Sequence, residues 1–414
     1  MTYWCRIAAI VVRMLSLAER MSHAKPSAIL AVAEKAKQLS AQGRDVISFG
    51  IGVPNFLPGQ HVYDAAAAAL QTDSGQYGSN RGPDALLDAF IEHMRQIGLT
   101  GYERRNCVTG DGAKHVLYNL FEALLDEGDG IAFPVPYWTS YIDIAQIVGA
   151  RVDLIPASAE QNYKITPQQL DEALANKPKV FLFNNPANPT GMVYDEREVA
   201  GLADVLVKYP DTWIIMDDIY NRMLFDGLKY TNFVLVKPEL RDRAVFVDSL
   251  SKTYGMPGWR LGLAAGPESI INAVVTLNSN HITSVNEMVN AAGIAALTGP
   301  QDIPSQKCAE FASKRDQVMV VMNAIPGVVC PRPQGAFYVF PDISCAFGKI
   351  HQPSGRTIGN DLDFCTALLD EKNVAFVPGS AFGEPRSMRI SYTCPTPQLQ
   401  PGLDRLTEFF SELI

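Results

Sequence analysis

The sequence predicts an α/β protein: a three-layer α/β/α large domain around a mostly parallel sheet, with a smaller α+β domain formed by both termini. Three observations lead there. Short continuous apolar runs alternate with helical patterns through the middle of the chain, as strands do when helices cover both faces of a sheet. Polar clusters follow three of those runs directly, at the strand ends where open α/β sheets bind ligands. The two ends of the chain break the alternation and mix helices with isolated strand-like runs. A length of 414 residues also exceeds one comfortable core. The expected division is an N-terminal extension over 1–20, a small domain from 21–60 and 301–414, and a large domain over 61–300.

Each element follows in order. The run "IAAIVV" at 7–12, bounded by Arg6 and Arg13, is too short to span a bilayer and poor as a secretory core. It reads as an extra segment or an upstream start, with Met14 and Met21 as alternative starts. "ILAVAEKAKQLSAQG" reads as a helix closed by Gly43, followed by "VISFGIG". "DGAKHVLYNLFEALL" at 111–125 is a small-residue turn opening an apolar-periodic helix. The strand runs are "GIAF" (130–133), "RVDLIP" (151–156), "KVFLF" (179–183), "WIIM" (213–216), "AVFV" (244–247) and "LGLAAG" (261–266). After "LTGP" come a helix-rich stretch, "GAFYVFPDI" and "MRISYTCP". The polar "QPSGRTIGND" between the last two reads as a surface loop.

Composition narrows the function. Apolar residues make up 47% and charged residues 19% of the chain, which suits a soluble enzyme. The net charge is −9 and no basic stripe appears, so a nucleic-acid surface is not expected. Seven cysteines include no CxxC pair, which predicts reduced thiols rather than a zinc cage or disulfide framework, and no metal site. No run reaches transmembrane length, so no membrane association is expected.

The chemistry lies at the strand ends. "SLSKTYGMPGWRLG" at 249–262 follows an apolar run and carries Lys252 and Arg260. A partly desolvated lysine beside another cation loses basicity and becomes nucleophilic enough to form an imine. Ser249, Ser251 and Arg260 suit a phosphate dianion. Asp217 ends the run "WIIM"; a carboxylate there needs a cation or strong donor as partner, and a protonated pyridine nitrogen would serve. Asp218 reads as a helix cap. Tyr220 could reach the same ring's phenolic oxygen, or simply pack. The turn at Gly112, Ala113 and Lys114 offers backbone N–H groups to phosphate. It lacks the P-loop and dinucleotide glycine patterns. Trp138 in "PVPYW" could stack on a flat ring or fill the core. Arg389 in "MRISY" could clamp a carboxylate or serve a structural ion pair.

In this order, "GIGVPNF", "YGSNRG", "PYW", "NPTG", "DDIY", "SLSKTYGMPGWRLG", "GAFY", "VPGSAFG" and "MRISY" resemble the class I, fold-type I pyridoxal-phosphate aminotransferases, closest to prokaryotic aspartate aminotransferases. The resemblance runs from about residue 25 to the C-terminus. It implies pyridoxal 5'-phosphate as cofactor, held by Lys252 as a Schiff base, with Lys252 also carrying the proton. Asp217 would keep the pyridine nitrogen protonated, and Asn188 and Tyr220 would hydrogen-bond the phenolic oxygen. Trp138 would stack on the ring and border the substrate. Ser249, Arg260 and the backbone of Gly112, Ala113 and Lys114 would hold the phosphate. Tyr77 would reach the phosphate of a second subunit, making the active unit a cytoplasmic homodimer. Arg389 would bind the substrate α-carboxylate, with Gly52 closing over it. The implied reaction moves the amino group of an L-amino acid, aspartate or a related one, to a 2-oxo acid such as 2-oxoglutarate by a ping-pong mechanism.

Two departures bear on the substrate. Aspartate-specific relatives often read "PSAT" where this chain has "PSAI", placing Ile29 near the substrate's far end. The usual "GEPDF" is "GVPNF", with Val53 and Asn55. Both lower the polarity there and open an aromatic or less polar substrate, or carbon–sulfur β-lyase chemistry on the same scaffold, as alternatives. A cofactor-binding transcription regulator would need a basic helix-turn-helix ahead of residue 25, and none is present in the sequence.

Overall fold

The computed structural model describes residues 17–22, 28–72 and 75–414. The apolar run at 7–12, Cys5, the alternative start Met14 and Lys25 lie outside the described residues.

Seven strands form the main sheet, in the order Cys107–Gly110, Gly262–Ala265, Ala244–Ser249, Trp213–Asp217, Val180–Asn184, Gly130–Val135, Arg151–Pro156. The last five pair in parallel, and Gly262–Ala265 runs antiparallel to both of its neighbours. All six apolar runs fall on this sheet. The strand Cys107–Gly110 adds an edge that "RRNCVTG" does not announce, since only two of its four residues are apolar.

Alternation within the strands explains the layers. Phe181, Phe183, Ile214, Met216 and Phe246 pack with Leu86, Phe90, Leu202 and Leu206 from helices on one face. Val180, Leu182, Ile215, Val245 and Val247 pack with Val116, Leu120, Ile144 and Val274 on the other. Burial of each such side chain contributes about 1.5–3 kcal/mol. Both faces of the central strands are covered, so those strands read as continuous apolar runs.

A further core cluster draws on both ends of the chain. Phe49 and Phe56 pack with Phe311, Phe337, Tyr338, Phe364, Ile390 and Phe409. Ile47–Ser48 pairs in parallel with Val374–Ala375. Tyr338–Val339 and Val377–Pro378 flank Met388–Ser391 in an antiparallel sheet. One expectation needs correcting: "QPSGRTIGND" is not a plain loop. Arg356–Thr357 within it pairs back onto Ile350–His351 as a hairpin, anchored by His351, whose Nε2 lies 2.8 Å from Glu412.

Candidate active site

The polar clusters that end the central strands converge on one cavity of about 470 Å³. Gly52, Ala113, Lys114, Trp138, Asn188, Asp217, Tyr220, Ser249, Lys252, Arg260 and Arg389 all line it. Gly112 stands just behind, at φ +81°, where an added Cβ would strike the Arg260 guanidinium. Tyr77 is 88% exposed and lies outside the cavity. Ile29 and Val53 line it, and Asn55 does not.

The antiparallel strand explains how Lys252 and Arg260 meet. The chain climbs Ala244–Ser249, turns through the short helix Leu250–Thr253 and descends through Gly262–Ala265, with Ser249 and Gly262 as register partners. Arg260, in left-handed backbone at φ +61°, is therefore returned to the strand end that Ser249 leaves. Its guanidinium donates to the carbonyls of Pro257 (2.8 Å) and Asp111 (3.0 Å), next to the start of the helix Ala113–Leu124. Ser249 is committed elsewhere: its hydroxyl donates to the Leu261 carbonyl at 2.9 Å and accepts from the Ser251 N–H at 3.1 Å. Ser251 lines the cavity beside it.

Lys252 Nζ donates to the Gly52 carbonyl at 2.7 Å. Burial, then the charge of Arg389, pull its pKa down to about 8, against a smaller opposing pull from Asp217. A fraction of the amine is thus neutral near physiological pH.

Asp217 is 1% exposed. Tyr141 donates to its Oδ2, and among the described residues Oδ1 has no hydrogen-bond partner. Burial raises its pKa to about 6, the Tyr141 hydrogen bond opposing. Such an orphaned buried carboxylate oxygen costs free energy until a donor meets it. Asp218 is not a helix cap. It is fully buried on the far side, accepting from Tyr230 (2.6 Å) and Asn232 (3.4 Å), and burial holds its pKa well above the usual range.

Arg389 is 1% exposed and sandwiched between Tyr338 and Phe382, 4.7 and 4.8 Å from the ring centroids. It donates to Asn188 Oδ1 at 3.0 Å and to the Gly50 carbonyl at 2.7 Å, while its Nε has no partner. Among the described residues no carboxylate forms an ion pair with it, so the structural reading of this arginine fails. Asn188 is fixed in turn by Asn184, whose Oδ1 accepts its N–H at 2.8 Å and whose Nδ2 donates to the Asp217 carbonyl at 2.6 Å. Burial lowers the Lys114 pKa, and its ammonium lies 5.1 Å from the Trp138 ring centroid.

Sequence reading missed Tyr141, Asn184 and Tyr338, which also line the cavity. Tyr141 carries a weak signal, three residues after Trp138 on the helix Ser140–Ile147. Tyr338 sits in a run that reads as core.

Comparison with known proteins places these observations. Residues 44–406 match the family described as aminotransferase class I and II. A probable aspartate/prephenate aminotransferase of Rhizobium leguminosarum bv. phaseoli is 37% identical over 396 residues, covering 96% of this chain and 99% of that protein. An aspartate aminotransferase of Bacillus sp. (strain YM-2) is 37% identical, covering 95% and 98%. The crystal structure of the aspartate aminotransferase from Rhizobium meliloti aligns with a TM-score of 0.93 at 35% identity, covering 97% of this chain and 100% of that one. The Thermus thermophilus aspartate aminotransferase with maleate aligns with a TM-score of 0.87 at 29% identity, covering 96% and 100%.

Proposed function

This chain belongs to the class I and II aminotransferases, and from that premise we propose how its cavity transfers an amino group. It is a pyridoxal-phosphate-dependent enzyme that transaminates amino acids with 2-oxo acids. The residues present fit the cofactor: a flat-ring neighbour in Trp138, an orphaned acceptor at Asp217 Oδ1, and a helix start with Arg260 for a phosphate. When bound, the cofactor supplies an electron sink for the pair left on the amino acid's α-carbon.

The chain's own groups do the rest. Lys252 Nζ would hold the cofactor covalently and, once the substrate amine has taken its place, would serve as the general base that carries the α-proton. Its lowered basicity suits both tasks. Asp217 Oδ1 would accept the hydrogen bond of the ring nitrogen and keep the proton on it. Tyr220 and Asn188 would donate to the phenolic oxygen. Arg260 and the N–H groups at Gly112 to Lys114 would hold the phosphate, joined by Ser249 once its hydroxyl turns from the Leu261 carbonyl, and Trp138 would cover the ring. Arg389 grips the α-carboxylate and Gly52 helps to close over it. The two flanking aromatic faces restrict any ligand of Arg389 to the plane of its guanidinium, the direction a bidentate carboxylate takes.

The observation that carries this reading is the buried Arg389, which has no anionic partner among the described residues, in one cavity with Lys252 and Asp217. The division of the chain at 1–20, 21–60 with 301–414, and 61–300 is part of the proposal, supported by the core cluster shared between the termini. Tyr77, exposed and outside its own cavity, is available to a second copy, which supports a homodimer. The six cysteines among the described residues are free, which supports a cytoplasmic location, and no described helix is long and apolar enough to cross a membrane.

For the substrate, Lys114 offers a cation at the mouth and supports aspartate or a related acid. The apolar wall of Ile29, Leu30 and Val53 supports an aromatic or less polar side chain as the second reading. The test is a panel of single amino acids with 2-oxoglutarate, followed by glutamate formed. Aspartate should exceed phenylalanine, and the reverse order would select the second reading. Lys252→Ala should lose the cofactor's absorption band and at least about 10⁴-fold in turnover. A coloured, active Lys252→Ala protein would overturn the assignment of the anchor.

A further inference from the structure

Two phenols meet at the inner wall of the cavity. The hydroxyls of Tyr220 and Tyr338 lie 2.8 Å apart, and either atom can donate. Both side chains are 1% exposed, both line the cavity, and among the described residues neither hydroxyl has another hydrogen-bond partner. The pair holds two protons, and their contact uses one. Which phenol keeps a free proton decides which can donate into the cavity.

The surroundings of Tyr338 settle the direction. Its hydroxyl is pressed against Gly52, where an added Cβ would overlap the phenol oxygen. A proton aimed that way meets a carbon, not an acceptor. Its ring also lies 4.7 Å from the Arg389 guanidinium, and a nearby cation strengthens a phenol as donor. The ring is fixed from behind. Tyr338 pairs with Ser391 across the sheet, and the turn before it holds Ala336 at φ +55°.

We propose that Tyr338 is a positioning residue acting through Tyr220: its phenol donates to the Tyr220 oxygen and leaves the Tyr220 proton directed into the cavity, at the phenolic oxygen of the cofactor. This rests on the assignment of Tyr220 made above. A phenol that accepts one hydrogen bond donates a stronger one, so Tyr338 raises the strength of the Tyr220 contact without touching the cofactor. The recipient oxygen would then be less basic, which the bound cofactor's titration reads.

The experiment is a pH titration of the bound cofactor's absorption in the wild-type holoenzyme, Tyr338→Phe, Tyr220→Phe and the double variant. Tyr338→Phe keeps the ring under Arg389 and removes only the hydroxyl. It should raise the midpoint by about half a pH unit, a fraction of one net hydrogen bond. Tyr220→Phe should raise it further, and the double variant should match Tyr220→Phe alone, because Tyr338 has then lost the group it acts through. An unmoved midpoint in Tyr338→Phe, or a shift that adds in full to that of Tyr220→Phe, overturns the relay while leaving the Tyr220 assignment standing. An unmoved midpoint in Tyr220→Phe overturns both. KM for the amino acid should change less than about threefold in Tyr338→Phe; a larger rise alone, with the midpoint fixed, would make Tyr338 a wall of the Arg389 clamp and also overturn the relay.

Discussion

The cavity has two arginines at opposite ends, and they are built differently. Arg260 is exposed, and its guanidinium rests on two carbonyls close to it in space, one of them three residues away. Arg389 is buried between two rings and held by Asn188 and Gly50, which lie 201 and 339 residues away in sequence. One is a surface cation added to a helix start; the other is a fixed, buried fork. A charge in a dry, fixed site is worth more to its ligand than one in water. The same residue type should therefore carry very different weight at the two ends.

Arg389→Ala gives the largest expected effect on that contrast. Removing the fork should lower kcat/KM about 10²–10³-fold, mostly through KM, with the cofactor retained. Loss of cofactor instead would move Arg389 to the phosphate side and dissolve the contrast. Asp217, buried in the same cavity, tests how much a buried charge costs before its ligand arrives. Its folded pKa is raised, to about 6. Protonation therefore stabilises the apoprotein fully below about pH 4, and that stability is lost as pH rises through about 6. Asp217→Asn should make the apoprotein more stable than wild type at pH 8 by up to about 3 kcal/mol, with the gap closing by pH 4. Urea unfolding of both apoproteins at the two pH values measures it, and a gap independent of pH would refute it. The same variant should bind the cofactor more weakly, since the ring nitrogen loses its anionic partner. Arg260→Ala gives the smallest effect: about a tenfold rise in the cofactor's dissociation constant, shrinking with added salt. A loss as large as that of Arg389→Ala would show that exposure does not set the ranking.

The two ends also differ in how they show in the sequence. The Arg260 end is local: Ser249, Lys252 and Arg260 fall in one quoted run, and the strand before it announces itself by its apolar face. The Arg389 end is assembled from afar. Arg389 and Asn188 could be named from motifs, yet Phe382, Tyr338 and the Gly50 carbonyl could not, because only folding brings them round one guanidinium. Tyr141 and Asn184 escaped for a related reason. Each looks like an ordinary packing or turn residue until the acceptor it serves is known. Asp218 misled in the opposite sense: a polar residue after a strand suggests a cap, and only the structure shows Tyr230 and Asn232 closing over it. The edge strand Cys107–Gly110 and the hairpin at 350–357 were illegible because their stability lies in pairing, not in apolar content.

The antiparallel strand Gly262–Ala265 also bears on how the chain can vary in length. Residues 250–261 leave the sheet at Ser249 and re-enter at its register partner Gly262, so the span is clamped in the core at both ends. One residue added or removed must either shift the strand, turning Leu263 from one face of the sheet to the other, or swing Arg260 off the start of the helix Ala113–Leu124. The hairpin turn at 352–355 is held more lightly: its tip is exposed, and beyond the hairpin it is tied, among the described residues, only through Gln352, whose N–H donates to the Glu412 carbonyl at 3.0 Å, with Ser354 meeting His351 at 2.7 Å within the hairpin. Length variation in this protein should be tolerated at that turn and absent between the lysine and the arginine.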